Sequence, residues 1–472
     1  MAIAHATFQS GIWSRAPPHR RAEVLEKAAE LLSAEIPALI AVEVRQTGRA
    51  IREMNAQVPS LVRWFRYYAA HLRTEERSVL PTTGKLHNWI DRRPLGVVVQ
   101  ITPFNHPLLI AVKKLAPALA AGNSVILKPS ELTPITSLLL GRIMKDAGLP
   151  DGVLSVLPGL GTSTGKALVS HPLVRKVDVT GGTAAGRAIG ELVGKNLGRY
   201  TAELGGKAPL VVFEAADIEA AVNGIAFGSF IATGQTCVAA TRILVQEPIF
   251  QQVTERLKLK AESIRMRTGS PKNPESMMGP LISERSLGNV ESLVNEAIKS
   301  GTVRALTGAE RMRGPSPLDG FDLSKGYFYP PTILVSADTN FEHVRASRVW
   351  KQEIFGPVIV LASFKTEEEA VLLANDSEFG LGAGIWTNDL SQAYRVADRI
   401  DSGIVWVNTH HRNDPSSPWG GAKSSSGVGS ENGVDAYNEY TTTKSTIINY
   451  ASVDEMRQDD WFAEDIGNAR YG

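Results

Sequence analysis

The stretch LGVVVQITPFNHPLLIAVKKLAPALAAGNSVILKPSE, residues 95–131, decides the fold class. An apolar, β-branched run at Val97–Ile101 gives way to a turn at PFNHP (103–107), where Pro107 is suited to open a helix. A helical stretch near 108–120 follows, then a second short run at Val125–Leu127. Strand, helix, strand with apolar residues at nearly every strand position is the pattern of a parallel sheet covered on both faces. The rhythm continues through strand candidates Leu154–Leu157 and Val177–Thr180, with helices near 134–146 and 184–194. A second series places strands at Leu210–Phe213, Arg242–Val245, Val358–Leu361, Gly382–Trp386 and Ile404–Val407. Its helices lie near 216–228, 248–264, 366–375 and 389–399. The expected fold class is therefore α/β, with two Rossmann-like doubly wound domains and a ligand cleft between them at strand C-termini.

Outside these series, residues 20–36 carry Val24, Leu25, Ala28, Leu31, Leu32 and Ile36 along one helical stripe. Residues 86–100 read as a hairpin-like patch with charges at its centre, and Gly301–Lys325 reads as loop. There is no internal repeat. A chain of 472 residues exceeds one small core, and its 50 basic and 49 acidic residues nearly cancel. With no basic tract, nucleic acid is not an expected partner. No apolar run approaches the ~18 residues of a membrane span, and the N-terminus does not read as a secretory signal. A single cysteine excludes an intrachain disulfide framework and suits a cytoplasmic location.

That cysteine, Cys237, lies in GQTCVAATR. A lone cysteine is usually a small buried hydrophobe, but Gly234, Gln235 and Thr236 leave room for a substrate. Glu203 in AELGGKAP reads as a cap or surface carboxylate if isolated; beside Gly205 and Gly206 at a cleft it suits a general base. Two glycine loops compete for a phosphate. GLGTSTG (159–165) has G-x-G spacing, whereas VTGGTAAG (179–186) leaves a strand and opens a helix, which favours Gly181, Gly182, Thr183 and Gly186. In KPSE (128–131), Lys128 and Glu131 either form a surface turn or meet ribose hydroxyls. Asn105 in PFNHP offers a neutral amide donor where an oxyanion could form.

PFNHP, KPSE, TGG-x-x-x-G, ELGGK, GQTC and EIFGPV, collinear in this order, resemble the aldehyde dehydrogenase superfamily. The resemblance implies a Cys237 thiolate that adds to an aldehyde, with Asn105 and the Cys237 N–H as oxyanion hole. It implies hydride transfer to NAD(P)+ and water activation by Glu203, and it sets GLGTSTG aside as the phosphate loop. It further implies cofactor contacts from Thr102, Phe104, Lys128, Glu131, the 181–186 loop, Leu204, Glu353 and Phe355. NAD is favoured over NADP because Glu131 would repel a 2′-phosphate, and no metal is required. The substrate channel implied is His106, Leu109, Lys113, Thr236, Val238 and Trp419, with His410 and His411 as solvent-facing loop residues.

The implied organisation is a cofactor domain of residues 1–75 and 95–205, a catalytic domain of 206–424, and an oligomerisation element of 76–94 and 438–450. A tail of 451–472 follows, and the assembly expected is a homodimer or homotetramer. The chain begins inside what looks like the family's first helix. Lys113 stands where relatives acting on small apolar aldehydes often have an aromatic residue. It either meets a polar or anionic substrate group, or snorkels to solvent or pairs on the surface. Two rival activities remain: a CoA-acylating dehydrogenase, which usually lacks the Glu203 equivalent, and a non-catalytic relative.

Overall fold

Val97–Ile101 forms a strand near the middle of a six-stranded sheet, and Val97, Val98 and Val99 are each at most 1% exposed. The computed structural model describes residues 1–337 and 340–464. Across that sheet the order is Gly427–Val428, Arg199–Glu203, Val174–Thr180, Val97–Ile101, Ser124–Lys128 and Leu154–Val156. All neighbours are parallel except the two-residue edge strand Gly427–Val428, which pairs Gly427 with Glu203. The strand order reverses direction between Val97–Ile101 and Val174–Thr180. The loops leaving these two strands therefore diverge and open a crevice at their C-terminal ends.

A seven-stranded sheet holds Val303–Thr307, Thr332–Ser336, Val358–Phe364, Ala240–Gln246, Ala208–Val212, Gly382–Trp386 and Ile404–Val407, in that order. Both large sheets have the parallel α/β character that the apolar strand runs predict. Helices Ile218–Phe230 and Glu247–Met266 pack an apolar cluster on one face; helices Glu284–Lys299 and Glu367–Asn375 cover the other. Helix Pro18–Ala34 buries Val24, Leu25, Ala28 and Leu32, the stripe read from the sequence. Ile36 instead begins the next helix, Ile36–Thr47.

Two sequence readings are corrected. Residues 86–100 do not form a hairpin: Leu86–Pro94 pairs antiparallel with Thr441–Asn449 in a separate three-stranded sheet, and Val97–Ile101 enters the six-stranded one. The crossing is fixed by Asn123, fully buried, whose Oδ1 accepts from the Leu95 and Gly96 N–H groups at 2.8 and 3.1 Å. Its Nδ2 donates to the Ala118 and Tyr440 carbonyls at 3.2 and 2.9 Å. Gly301–Lys325 is not all loop, since Val303–Thr307 adds an antiparallel edge strand to the second sheet. Of the tail, Val453–Arg457 forms a helix with a Ser452–Glu455 capping box; residues 465–472 lie outside the described residues. Among the described residues no helix is long and apolar enough to cross a membrane.

Asn123→Ala strands two buried donors at the crossing. It is expected to cost about 3 kcal/mol, read as a lowered midpoint of the first denaturant-induced transition. An unchanged midpoint would remove Asn123 from this account.

Candidate active site

The crevice of the six-stranded sheet faces the opposite edge of the seven-stranded one. Asn105 follows strand Val97–Ile101 and Gly181–Gly182 follow Val174–Thr180, both at C-terminal ends. Cys237 and Glu353, by contrast, lie in segments entering strands Ala240–Gln246 and Val358–Phe364. The cleft is thus built from strand C-termini on one side only, which corrects the sequence expectation. Glu203 ends the last parallel strand of the first sheet, and residues 204–207 carry the chain across to the second.

This crossing brings backbones into contact. A β-carbon at residue 206 would fall on the carbonyl oxygen of Cys237, and one at Gly234 (φ 68°) would fall on the Gly356 carbonyl. Glycine at both positions lets the ELGGK, GQTC and EIFGPV segments meet. The segment before Cys237 is unusual, with Ala232 and Thr233 at φ 53° and 58°. A buried carboxylate holds it: Glu53 accepts the Ala232 N–H at 3.2 Å and pairs with Arg49 at 2.9 Å. Thr233 Oγ1 donates to the Gly279 carbonyl at 3.0 Å, and the Gln235 side-chain oxygen accepts the Ile282 N–H at 3.0 Å.

Cys237, Glu203 and Asn105 line one cavity of roughly 210 Å³ together with Phe104, Glu353 and Phe355. The Asn105 amide donates to the Gln235 carbonyl at 2.8 Å, leaving its second N–H for another acceptor. Glu203 is buried, and the Trp419 indole N–H lies 3.5 Å from its Oε1. Burial first, then the neighbouring Glu431, pushes the Glu203 carboxyl above its ordinary value. Burial and the Glu203 carboxylate likewise push the Cys237 thiol well up. Glu353 accepts the Gly206 N–H at 2.9 Å and is raised by burial to about 7. The Phe104 and Phe355 rings meet edge to face at 5.8 Å.

The other sequence candidates divide. Leu204, Gly181 and Gly182 line the same cavity, as do His106, Leu109, Lys113, Thr236 and Trp419. Gly186 does not: it packs against the Leu204 side chain, where a β-carbon would not fit. Thr183 uses its hydroxyl on the Ser425 carbonyl at 2.7 Å. Val238 is fully buried beside Leu381, Trp406 and Trp419, so it backs the channel without lining it. Thr102 is buried outside the cavity lining, its N–H on the Lys128 carbonyl. Lys128 is buried, and exposed Glu131 lies 3.7 Å from its Nζ. Gly165 of GLGTSTG packs against the Lys128 side chain, so that loop also borders this sheet edge.

Lys113 does not snorkel: it is 2% exposed, and its Nζ is 2.9 Å from Glu431 and 4.6 Å above the Trp419 ring. His410 and His411 are not solvent-facing either. His410 is buried with Nε2 2.8 Å from the Val238 carbonyl, and His411 lines the cavity. Burial lowers them to about 4 and about 3, so both are neutral. Among the described residues no cluster of His, Cys, Asp and Glu is placed to hold a metal.

Sequence reasoning missed the charge cluster beneath Glu203. Lys114 is fully buried between Asp178 and Glu431, 2.5 Å from the latter, and Tyr440 also bonds Asp178. Burial would raise Glu431, but Lys113 and Lys114 outweigh it and hold the carboxylate low. The signal was present: two adjacent lysines in an otherwise apolar helix cannot both reach water and require buried counter-charges.

Comparisons with known proteins show the family. Residues 1–446 match the aldehyde dehydrogenase family. The chain is 40% identical to phenylacetaldehyde dehydrogenase of Pseudomonas fluorescens, covering 95% of this chain and 87% of that one. It is 38% identical to betaine aldehyde dehydrogenase of Mesorhizobium japonicum, covering 96% and 90%. A crystal structure of betaine aldehyde dehydrogenase from Staphylococcus aureus in complex with NAD+ superposes with a TM-score of 0.90 at 33% identity, covering 98% and 88%.

Lys114→Met leaves Asp178 without its cation and is expected to destabilise the fold by about 3–5 kcal/mol. Adding Asp178→Asn should recover part of that loss, measured as denaturation midpoints of the single and double variants. Strict additivity would contradict the pairing.

Proposed function

Since the chain belongs to the aldehyde dehydrogenase family and is an NAD(P)-dependent aldehyde dehydrogenase, we propose that it oxidises its aldehyde hydrolytically, with Cys237 as nucleophile and Glu203 as base. The observation that carries this reading is the shared cavity: a thiol, an amide donor and a buried carboxylate raised toward neutrality line one space. Cys237 gives its proton to the hydrogen-bonded Glu203 carboxylate, its Sγ adds to the carbonyl carbon, and the oxygen gains negative charge; Glu203 then passes that proton on before the hydrolytic step. The free Asn105 N–H and the Cys237 backbone N–H are the donors for that oxygen. Oxidation of the adduct leaves a thioester on Cys237. Glu203, once ionised, takes a proton from water, and the hydroxide formed releases the acid and frees the thiol.

The residues present fit a dinucleotide. Gly182 has open space where a side chain would stand, at the N-terminus of helix Thr183–Lys195, which suits a phosphate. Glu353 is placed for ribose hydroxyls, and Phe104 and Phe355 wall the space beside it. Lys128 and Glu131 would hold the adenosine ribose, with Glu131 favouring NAD over NADP. When bound, NAD supplies the oxidant that accepts the hydride. The division into cofactor residues 1–75 and 95–205 and catalytic residues 206–424 follows from these roles. The pairing of Leu86–Pro94 with Thr441–Asn449 gives a homodimer or homotetramer a sheet with which to assemble. Retention of Glu203 as a buried base argues against transfer of the acyl group to CoA, and the complete cavity argues against a non-catalytic role.

The channel favours an aldehyde with a polar or anionic group over one with a quaternary ammonium. Lys113, neutral His106 and His411, and Asn413 line its outer part, and beyond it opens a chamber of roughly 620 Å³ that includes Arg412, with Arg49 and Arg63 paired to Glu53 and Asp414 in its wall. In a panel of succinic semialdehyde, 4-hydroxybenzaldehyde, hexanal and betaine aldehyde, the last should have the lowest kcat/KM. Preference for betaine aldehyde would contradict the channel reading.

Because a base must be ionised to act, a raised Glu203 makes turnover fall as pH drops through its displaced value. NAD-dependent turnover without CoA should show an acid limb with its midpoint above the ordinary glutamate value of about 4.3, and Glu203→Gln should abolish that limb. A CoA requirement, or the same limb in the variant, would overturn the assignment.

A further inference from the structure

Lys113 and Lys114 are adjacent on helix Pro107–Ala120, and their side chains are 1% and 0% exposed. Only Lys113 reaches the cavity. Among the described residues lining that cavity it is the cation, since burial keeps His106 and His411 neutral. Its Nζ is fixed between the Glu431 carboxylate at 2.9 Å and the Trp419 ring at 4.6 Å, and the same indole reaches Glu203.

The charges make this position consequential. Lys113 and Lys114 balance Glu431 and Asp178, and the adjoining buried Lys176 is paired with Glu439 at 3.3 Å; without Lys113 the group is left with one net negative charge beneath Glu203 and Cys237. The groups facing the thiol are Glu203 and Glu353, both of which disfavour a thiolate, and Lys113, which favours it. The groups facing Glu203 are Glu431, which disfavours its ionisation, and Lys113, the Cys237 thiol hydrogen-bonded to it and Lys114, which favour it. Arg49, a further cation on the channel side, is engaged with Glu53 and His106.

We propose that Lys113 is a positioning residue, a fixed cation in the cavity wall that favours the anionic forms of Cys237 and Glu203 whichever aldehyde is bound. The inference rests on the roles given to Cys237 and Glu203 above. It differs from a substrate-binding role because a lysine that left Glu431 for a substrate anion would strip a buried carboxylate of one of its two cations.

With one cysteine in the chain, alkylation by iodoacetamide reports on Cys237 alone. The rate is measured against pH in the full-length protein without cofactor or aldehyde, for the parent, Lys113→Met, Lys113→Gln and Lys113→Arg, with folding checked by circular dichroism. Both neutral variants should move the profile to higher pH by about one unit, roughly tenfold slower alkylation on the rising limb. Lys113→Arg should restore the parental profile. Profiles of the folded neutral variants that superimpose on the parent's overturn the inference, as does an arginine variant displaced as far as the neutral ones. If neither neutral variant folds, the arginine variant decides: a parental profile supports the inference and a displaced one overturns it. This readout is independent of turnover, so it can fail while the Glu203→Gln pH profile still supports hydrolysis, and the reverse.

Discussion

The carbonyl oxygen of Cys237 occupies the space that a β-carbon at residue 206 would need, and the site depends on that backbone contact. It draws the segment entering Ala240–Gln246 against the segment that links the two large sheets. Gly234 against the Gly356 carbonyl adds the segment entering Val358–Phe364. Once the three backbones meet, Cys237, Glu203 and Glu353 share one wall, and the loop carrying Asn105 closes the other. The strained turn at Ala232 and Thr233 is part of the arrangement, held by the Glu53–Arg49 pair.

Beneath this wall lies a buried electrostatic layer. Two lysines on one helix, Glu431 from the segment ahead of helix Gly433–Glu439, and Asp178 from a central strand form a buried set of opposite charges, adjoined by the Lys176–Glu439 pair. Such a set costs desolvation and contributes little net stability, so its value lies in what it does to Glu203 and Cys237. Glu431 pushes Glu203 toward neutrality while the lysines limit the shift. The order in which these groups ionise is therefore a property of the whole layer, and fold and chemistry share the same residues.

Much of this was legible in the sequence where residues act locally. The apolar runs at Val97–Ile101 and Gly382–Trp386 coincide with strands because their burial on both faces shows directly as composition. Cys237, Glu203 and Asn105 could be read because small residues and turns surround them. What failed depended on distant partners. The apparent hairpin at 86–100 was lost because Leu86–Pro94 pairs with a strand some 350 positions away; Pro94 and Gly96 mark the break, and the family resemblance places a boundary between 94 and 95. Val303–Thr307 was hidden by its Gly- and Pro-rich surroundings. His410 and His411 sit in a stretch of surface-like composition, HHRNDPSS, yet Trp406 and Trp419 pack over them. Glu431 is 317 positions from Lys114, so only the demand of a buried lysine for a counter-charge could have pointed to it.

The account's central claim is that an acyl group passes through Cys237 and leaves by Glu203-assisted hydrolysis. The most direct measurement is intact-protein mass spectrometry of Glu203→Gln after mixing with NAD+ and whichever aldehyde of the panel the parent turns over fastest. The account predicts one acyl adduct per chain, located on the peptide containing Cys237 and absent when NAD+ is omitted. An unmodified variant that still releases acid at the parental rate would contradict it.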